Sequence, residues 1–102
     1  MAAGKSQGLL EVLGADSAAA YEEAVLERAL HPAKERSVRL AYTPLHGVGA
    51  KLAEGLLERA GFEVQTVASQ REPDGDFPTV NFPNPEEDGA MDAVCALGEE
   101  MD

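Results

Sequence analysis

Cysteine occurs once in the chain, at Cys95, and tryptophan does not occur. A lone cysteine makes no internal disulfide and has no second cysteine for a zinc site, so neither a disulfide framework nor a cysteine-ligated zinc module is available to the chain. Cys95 reads instead as a small buried hydrophobe. Aromatic residues supply only 5% of the chain, and alanine supplies much of its 44% apolar content. The buried side chains are therefore mostly small, and a domain of 102 residues hides only about 65% of its unfolded surface. A modest core follows, with little buried area per residue to offset chain entropy.

Positive charge is scarce as well, with 8 basic residues against 19 acidic and a formal net charge of −11. That balance repels phosphate backbones and anionic membrane surfaces, which argues against a nucleic-acid or membrane partner. No run approaches the ~18 apolar residues of a membrane span. Met1-Ala-Ala-Gly-Lys-Ser-Gln7 lacks the apolar centre of a secretory signal, and the expected location is cytoplasmic. Walker, GxGxxG, GxSxG and HExxH motifs are all missing.

Residues 1–8 are small and polar without an apolar period and read as a frayed or expression-derived end, with the domain proper over 9–102. Leu9-Leu-Glu-Val-Leu13 is short enough to be an edge strand or one helical turn, and a strand is the expectation. Gly14-Ala-Asp-Ser17 reads as a turn in which Asp16 or Ser17 caps a helix running to about Leu30. Tyr21, Ala24, Val25 and Ala29 share one face of it, while Glu22, Glu23 and Glu27 lie largely elsewhere and should be solvated. His31-Pro32 ends the helix, because the residue before proline is pushed out of the α region. His31 then faces the negative end of the helix dipole, a simpler role than that of a ligand.

After a charged connector, Ala33–Ser37, the alternation of Val38, Leu40 and Tyr42 with Arg39, Ala41 and Thr43 predicts a strand. Thr43-Pro-Leu-His-Gly47 stops it. Pro44 lacks a ladder donor, and Gly47 and Gly49 permit backbone angles that other residues resist. A helix over about Val48 to Ala60 places Val48, Leu52, Ala53, Leu56, Leu57 and Ala60 on an apolar stripe, with Lys51, Glu54, Glu58 and Arg59 outside it. Gly55 sits inside that helix and suggests close packing against a neighbour, and Gly61 closes it. Phe62–Val67 alternates as a second strand, and a helical connection of this length predicts a right-handed crossover between parallel strands.

Residues 68–86 break every period, and the stretch Arg71–Pro85 contains four prolines. An extended loop is expected there, with Asn84 as N-cap, Pro85 at the first helical position and Glu87 completing a capping box. Ala90, Met91, Val94, Cys95, Leu97, Gly98 and Met101 form the apolar face of the last helix. The pattern predicts an α/β fold: a truncated three-layer α/β/α domain with one βαβ unit and flanking helices. An unpaired sheet edge suggests a piece of a longer protein, or self-association through that edge.

Within this frame His46 is the leading candidate for a role. It lies on a turn at the carboxyl end of a strand, where open α/β sheets place ligands. It either donates to a phosphate or hydroxyl or uses its ring to hold the Pro44–Gly47 turn, and both readings stand. Thr43 and the N–H groups around Gly47 and Gly49 are neutral donors beside it. Asp74-Gly-Asp76 resembles a cation loop only loosely, with no third acid in register, and a solvated turn is the expectation.

Two stretches, Tyr42-Thr-Pro-Leu-His-Gly-Val-Gly49 and Pro73-Asp-Gly-Asp-Phe-Pro-Thr-Val-Asn-Phe-Pro-Asn-Pro-Glu-Glu87, resemble the second domain of the α-D-phosphohexomutases, most closely the bacterial and related phosphoglucomutases. The resemblance runs from about Leu10 to Met101 and includes the Tyr21–Leu26 helix. It implies part of a four-domain enzyme that moves a phosphoryl group between the 1- and 6-positions of a hexose through a bisphosphate intermediate. Mg²⁺ and hexose 1,6-bisphosphate are the cofactors it implies for the whole enzyme, with the other domains and the hexose phosphate as partners. The family's phosphoserine, metal, sugar and phosphate loops all fall outside the matched segment. Asp74 and Asp76 align before Phe-Pro-Thr-Val and not with the metal loop. The chain is thus expected to form and shape a cleft through Thr43, His46, Gly47 and Gly49, with no catalytic or metal-ligating residue of its own. The competing reading is a free-standing acidic interaction module docking through Phe77–Pro85, or a small anion-binding domain using His46.

Overall fold

The computed structural model describes residues 2–31 and 36–102. The expected stop at Pro32 and most of the charged connector lie outside them. The described elements are α1 (Ala2–Ser6), α2 (Ala15–Leu26), β1 (Arg39–Tyr42), α3 (Ala50–Arg59), β2 (Glu63–Thr66), a 3₁₀ turn at Ala68–Gln70, and α4 (Asp92–Met101). The strands β1 and β2 pair in parallel, with Leu40 opposite Val64 and Tyr42 opposite Thr66. Among the described residues the sheet has these two strands alone.

Strand alternation places the helices. Tyr42 points toward α3, its hydroxyl 3.6 Å from where a Cβ on Gly49 would sit, and Thr66 donates to Glu54 of α3 at 2.6 Å. Ala41 points the other way, and its Cβ lies 3.8 Å from a Cβ built on Gly98 of α4. Thus α3 and α4 cover opposite faces of the sheet, α2 packs on α3, and the layers are α/β/α. The parallel βαβ unit and the three-layer architecture agree with the sequence pattern.

The core is as slight as the composition implied. Its buried apolar members are Leu45, Ala50, Val67, Ala90, Val94 and Met101, grouped near the carboxyl ends of the strands and along α4. Gly61, at φ 95°, turns the chain out of α3 as expected of a helix-closing glycine.

Several local expectations give way. Residues 2–6 form a short helix, and the amides of Leu9 and Leu10 donate back to the Gly4 carbonyl at 2.9 and 3.2 Å across Gly8, whose φ is 70°. The Leu9–Leu13 run that follows makes no strand and, apart from the half-buried Leu10, is exposed. Helix α2 opens at Gly14 without a side-chain cap from Asp16 or Ser17. It tightens into i→i−3 turns at Arg28 and Ala29, which leaves the exposed His31 outside the helix.

Tyr21 and Val25 of α2 are 56% and 39% exposed, so the expected apolar face is not the packed one. Arg59 of α3 rotates the contact instead toward Glu22, at 2.9 Å, and Glu23, so these carboxylates are paired across the helix interface. Val48 is 89% exposed and precedes α3, whose first residue is Ala50. The expected helix start at Asn84-Pro85 is an Asx turn: Asn84 Oδ1 accepts from the Glu86 amide at 3.1 Å. Gly89, at φ 79°, then diverts the chain before α4 begins at Asp92. Cys95 is exposed, since α4 presents Val94 and Met101 to the sheet.

Candidate functional site

The strand β1 ends at Tyr42, and Pro44–Gly47 reverse the chain in a tight turn closed by Gly47 N–H donating to the Pro44 carbonyl at 2.8 Å. Both central residues, Leu45 and His46, have positive φ, 47° and 62°. The left-handed conformation therefore falls on these two side chains and not on the glycines, contrary to the sequence expectation. It costs roughly 1–2 kcal/mol per non-glycine residue. Gly47 is required for a different reason, because a Cβ there would meet the Pro44 carbonyl oxygen at 2.9 Å. Gly49 has φ −83°, an ordinary value.

What holds the turn is burial of Leu45 together with a connected set of polar groups. His46 is 6% exposed and Gln70 2%. The Leu45 amide donates to Thr43 Oγ1 at 3.1 Å, and Thr43 Oγ1 donates to Gln70 Oε1 at 2.7 Å. Gln70 Nε2 donates to Thr79 Oγ1 at 3.1 Å, and Thr79 Oγ1 lies 2.9 Å from His46 Nε2. His46 Nδ1 faces the Glu72 carbonyl at 3.2 Å. The backbone repeats the tie: His46 N–H donates to the Gln70 carbonyl at 2.9 Å, and the Asp74 amide donates to the His46 carbonyl at 3.0 Å.

Thr43, His46 and Gly47 thus come together, with Gly49 at the start of α3. Both ring nitrogens of His46 and the amides of Leu45, His46 and Gly47 are engaged within the chain. A phosphate would have to displace one of these bonds to reach a donor among Leu45, His46 and Gly47.

Sequence reasoning missed Gln70 and Thr79. Gln70 ends the 3₁₀ turn that follows β2, near where a parallel sheet brings the carboxyl ends of its strands together, and that placement was the available signal. It also missed the pairing of Glu54 with Arg71, the first placed only outside the apolar stripe of its helix. Arg71 grips both oxygens of Glu54, Nε to Oε1 at 2.9 Å and Nη2 to Oε2 at 2.8 Å, and reaches Glu72 at 2.7 Å. The Arg71 guanidinium and then the Thr66 hydroxyl hold the Glu54 carboxyl below its usual range. Glu54 in turn holds Arg71 in its charged form, with help from Glu72. Burial, aided by the Glu54 charge, pushes the Tyr42 phenol up.

Asp74 and Asp76 lie on an exposed Asx turn in which the Asp76 amide donates to Asp74 Oδ1 at 2.9 Å. Among the described residues no three His, Cys, Asp or Glu side chains converge as a metal ion would need. No helix among them is long and apolar enough to cross a membrane.

A parallel βαβ unit with a shaped turn at its strand ends defines an α/β/α domain whose polar groups organise loops. Its sequence matches the family description phosphoglucomutase/phosphomannomutase, alpha/beta/alpha domain II, over residues 19–102, and the chain belongs to that family. It is 47% identical over 64 residues to the "Probable phosphomannomutase" of Haemophilus influenzae, covering 62% of this chain and 13% of that protein. It is 46% identical over 59 residues to the "Probable phosphoribomutase" of Schizosaccharomyces pombe, covering 56% of this chain and 10% of that protein. A phosphoglucomutase of Staphylococcus epidermidis is 33% identical over 69 residues, covering 67% of this chain and 13% of that protein. The matched segment spans about a tenth of the length of these relatives. No solved structure matches the chain. The expected nearness to phosphoglucomutases in particular is not carried by these likenesses, since proteins named for mannose and ribose share more identity.

Proposed function

We propose that the chain is the cleft-forming second domain of an enzyme that interconverts hexose 1-phosphate and hexose 6-phosphate through a bisphosphate intermediate, and that alone it has no mutase activity. Family membership over residues 19–102 carries the reading. The internal use of donors at the Thr43–Gly47 turn supports a shaping role over a phosphate-gripping one. So does the net charge of −11, which repels phosphorylated ligands. Phosphoryl transfer needs concentrated positive charge around the moving group. Here Arg59 and Arg71 are both committed to carboxylates.

Mg²⁺ and hexose 1,6-bisphosphate belong to this proposal as cofactors of the whole enzyme. The described residues do not bring together the side chains a metal ion would need. The other domains and the hexose phosphate are its proposed partners, and the cytoplasm its proposed location. Glucose is the sugar proposed on the motif resemblance, with mannose and ribose as the competitors that the relatives' names introduce.

The test is an assay of the whole protein that carries this chain. It is supplied with Mg²⁺, a sugar bisphosphate primer and, in turn, glucose 1-phosphate, mannose 1-phosphate and ribose 1-phosphate. Turnover is expected, fastest on glucose 1-phosphate. Faster turnover on another sugar overturns the choice of glucose, and none on any overturns the mutase reading.

A further inference from the structure

The polar groups around the turn form a circuit with a direction. Thr43 Oγ1 accepts from the Leu45 amide, so its own hydrogen is free to go to Gln70 Oε1. That orientation points the Gln70 amide nitrogen at Thr79 Oγ1. Thr79 Oγ1, having accepted from Gln70, has its hydrogen left for His46 Nε2. On the far side of the ring Nδ1 faces a carbonyl oxygen, which can only accept. Each member then gives and takes in turn, and among the described residues no buried side-chain polar atom is left without a partner.

The reverse direction fails at one point. Turning the Gln70 amide over would aim its nitrogen at Thr43 Oγ1, which can accept a second time, but would take away the acceptor of the Thr43 hydroxyl hydrogen. It would also draw the Thr79 hydroxyl toward Gln70 and require His46 to donate from both nitrogens. The buried members are Gln70 and His46, 2% and 6% exposed, while Thr43 is half-buried and Thr79 exposed. The forward direction serves both buried groups with neutral partners, and so it wins.

We infer that the Glu72 carbonyl and Thr79 together fix His46 in the Nδ1–H tautomer, with Thr79 as a positioning residue at Nε2, and that through this ring the loop from Glu72 to Thr79 is clamped to the strand ends. Thr79 lies 33 residues beyond His46 and belongs to the proline-rich loop. The imidazole is the bridge: Nδ1–H holds the loop's first residue at the Glu72 carbonyl, Nε2 holds its far end at Thr79, and the His46 carbonyl holds Asp74 between them. Thr79 also lines a polar cleft of about 270 Å³ with Pro78, Asn81 and Asp88, so the same clamp sets the position of that cleft's wall. The inference is independent of the mutase reading and of which sugar is used.

The whole protein is labelled with ¹⁵N-histidine, and the His46 signals are identified by their loss in His46→Phe. Nδ1 should give a pyrrole-type resonance and Nε2 a pyridine-type one. In Thr79→Val the Nε2 resonance should move downfield as it loses its donor, and the Asp74 amide should exchange with solvent about tenfold faster, the scale of one lost hydrogen bond. Thr79→Ser, which keeps the hydroxyl, should restore both. A wild-type ring with its lone pair on Nδ1, or doubly protonated, overturns the inference. So does a Thr79→Val variant in which neither signal changes, or a Thr79→Ser variant that behaves as Thr79→Val. Should Thr79→Val fail to fold, the wild-type tautomer and the Thr79→Ser exchange rate still decide it.

Discussion

At Gly47 the reason for the residue is a contact and not a dihedral angle. The Pro44 carbonyl oxygen stands 2.9 Å from the place a Cβ would take, and it is backbone, already receiving the Gly47 amide. Gly47→Ala must therefore push the turn apart or lose its closing bond. A destabilisation of about 1–3 kcal/mol is expected, read as a lower urea midpoint, and an unchanged midpoint would show that the turn has room to relax. Glu54 makes a second prediction, through pH. Its folded-state carboxyl is held low by Arg71 and then Thr66, so its stabilisation is full above the unfolded value of about 4.3 and disappears as pH falls through the lower folded value. Glu54→Gln should thus cost stability at pH 7, and the cost should shrink as pH is lowered below about 4.3; a cost that stays constant down to the acid transition would contradict the pairing. Tyr42 has the opposite sense. Its raised folded value means that its contribution is present below the unfolded value of about 10 and fades as pH rises through the folded one.

Among the elements, α3 joins the chain's parts, bonding α2 through Arg59 and the loop after β2 through Glu54. Gly55 in its middle was read as a sign of close packing, but a Cβ there would meet only Glu22 Oε1 at 3.8 Å, an ordinary contact. Gly55→Ala should accordingly stabilise the chain by about 1 kcal/mol from helix propensity, raising the urea midpoint, whereas a lowered midpoint would reveal a clash. The βαβ unit was legible because its signals are local and agree: alternation in Val38–Tyr42, an apolar stripe through Leu52 and Leu56, a closing Gly61. Helix ends were less so. Asn84-Pro85 carries the chemistry of a helix start, yet Asn84 serves an Asx turn and Gly89 delays α4 to Asp92. The face of α2 was misjudged because Arg59, 36 and 37 residues away, recruits Glu23 and Glu22, and no periodicity within α2 contains that partner. At the site His46 was legible from its place after a strand. Gln70 and Thr79 were not, because their importance arises from a circuit closed across 27 and 33 residues.

For the molecule as a whole, the radius of gyration is 16.9 Å, where a compact chain of this length would have about 13 Å. The excess agrees with a core of few buried side chains and with the apolar groove that Leu26, Ala53, Leu56 and Leu57 line between α2 and α3. Order is concentrated where the strands end, and there the polar groups are spent on one another. That arrangement is the one the proposed cleft-shaping role calls for. The most direct test is a coupled assay of the 102-residue chain alone with glucose 1-phosphate, a bisphosphate primer and Mg²⁺. The rate is expected to equal the blank under conditions in which the whole protein turns over. Turnover by the chain alone, abolished by His46→Gln, would contradict the account and make the turn a catalytic element.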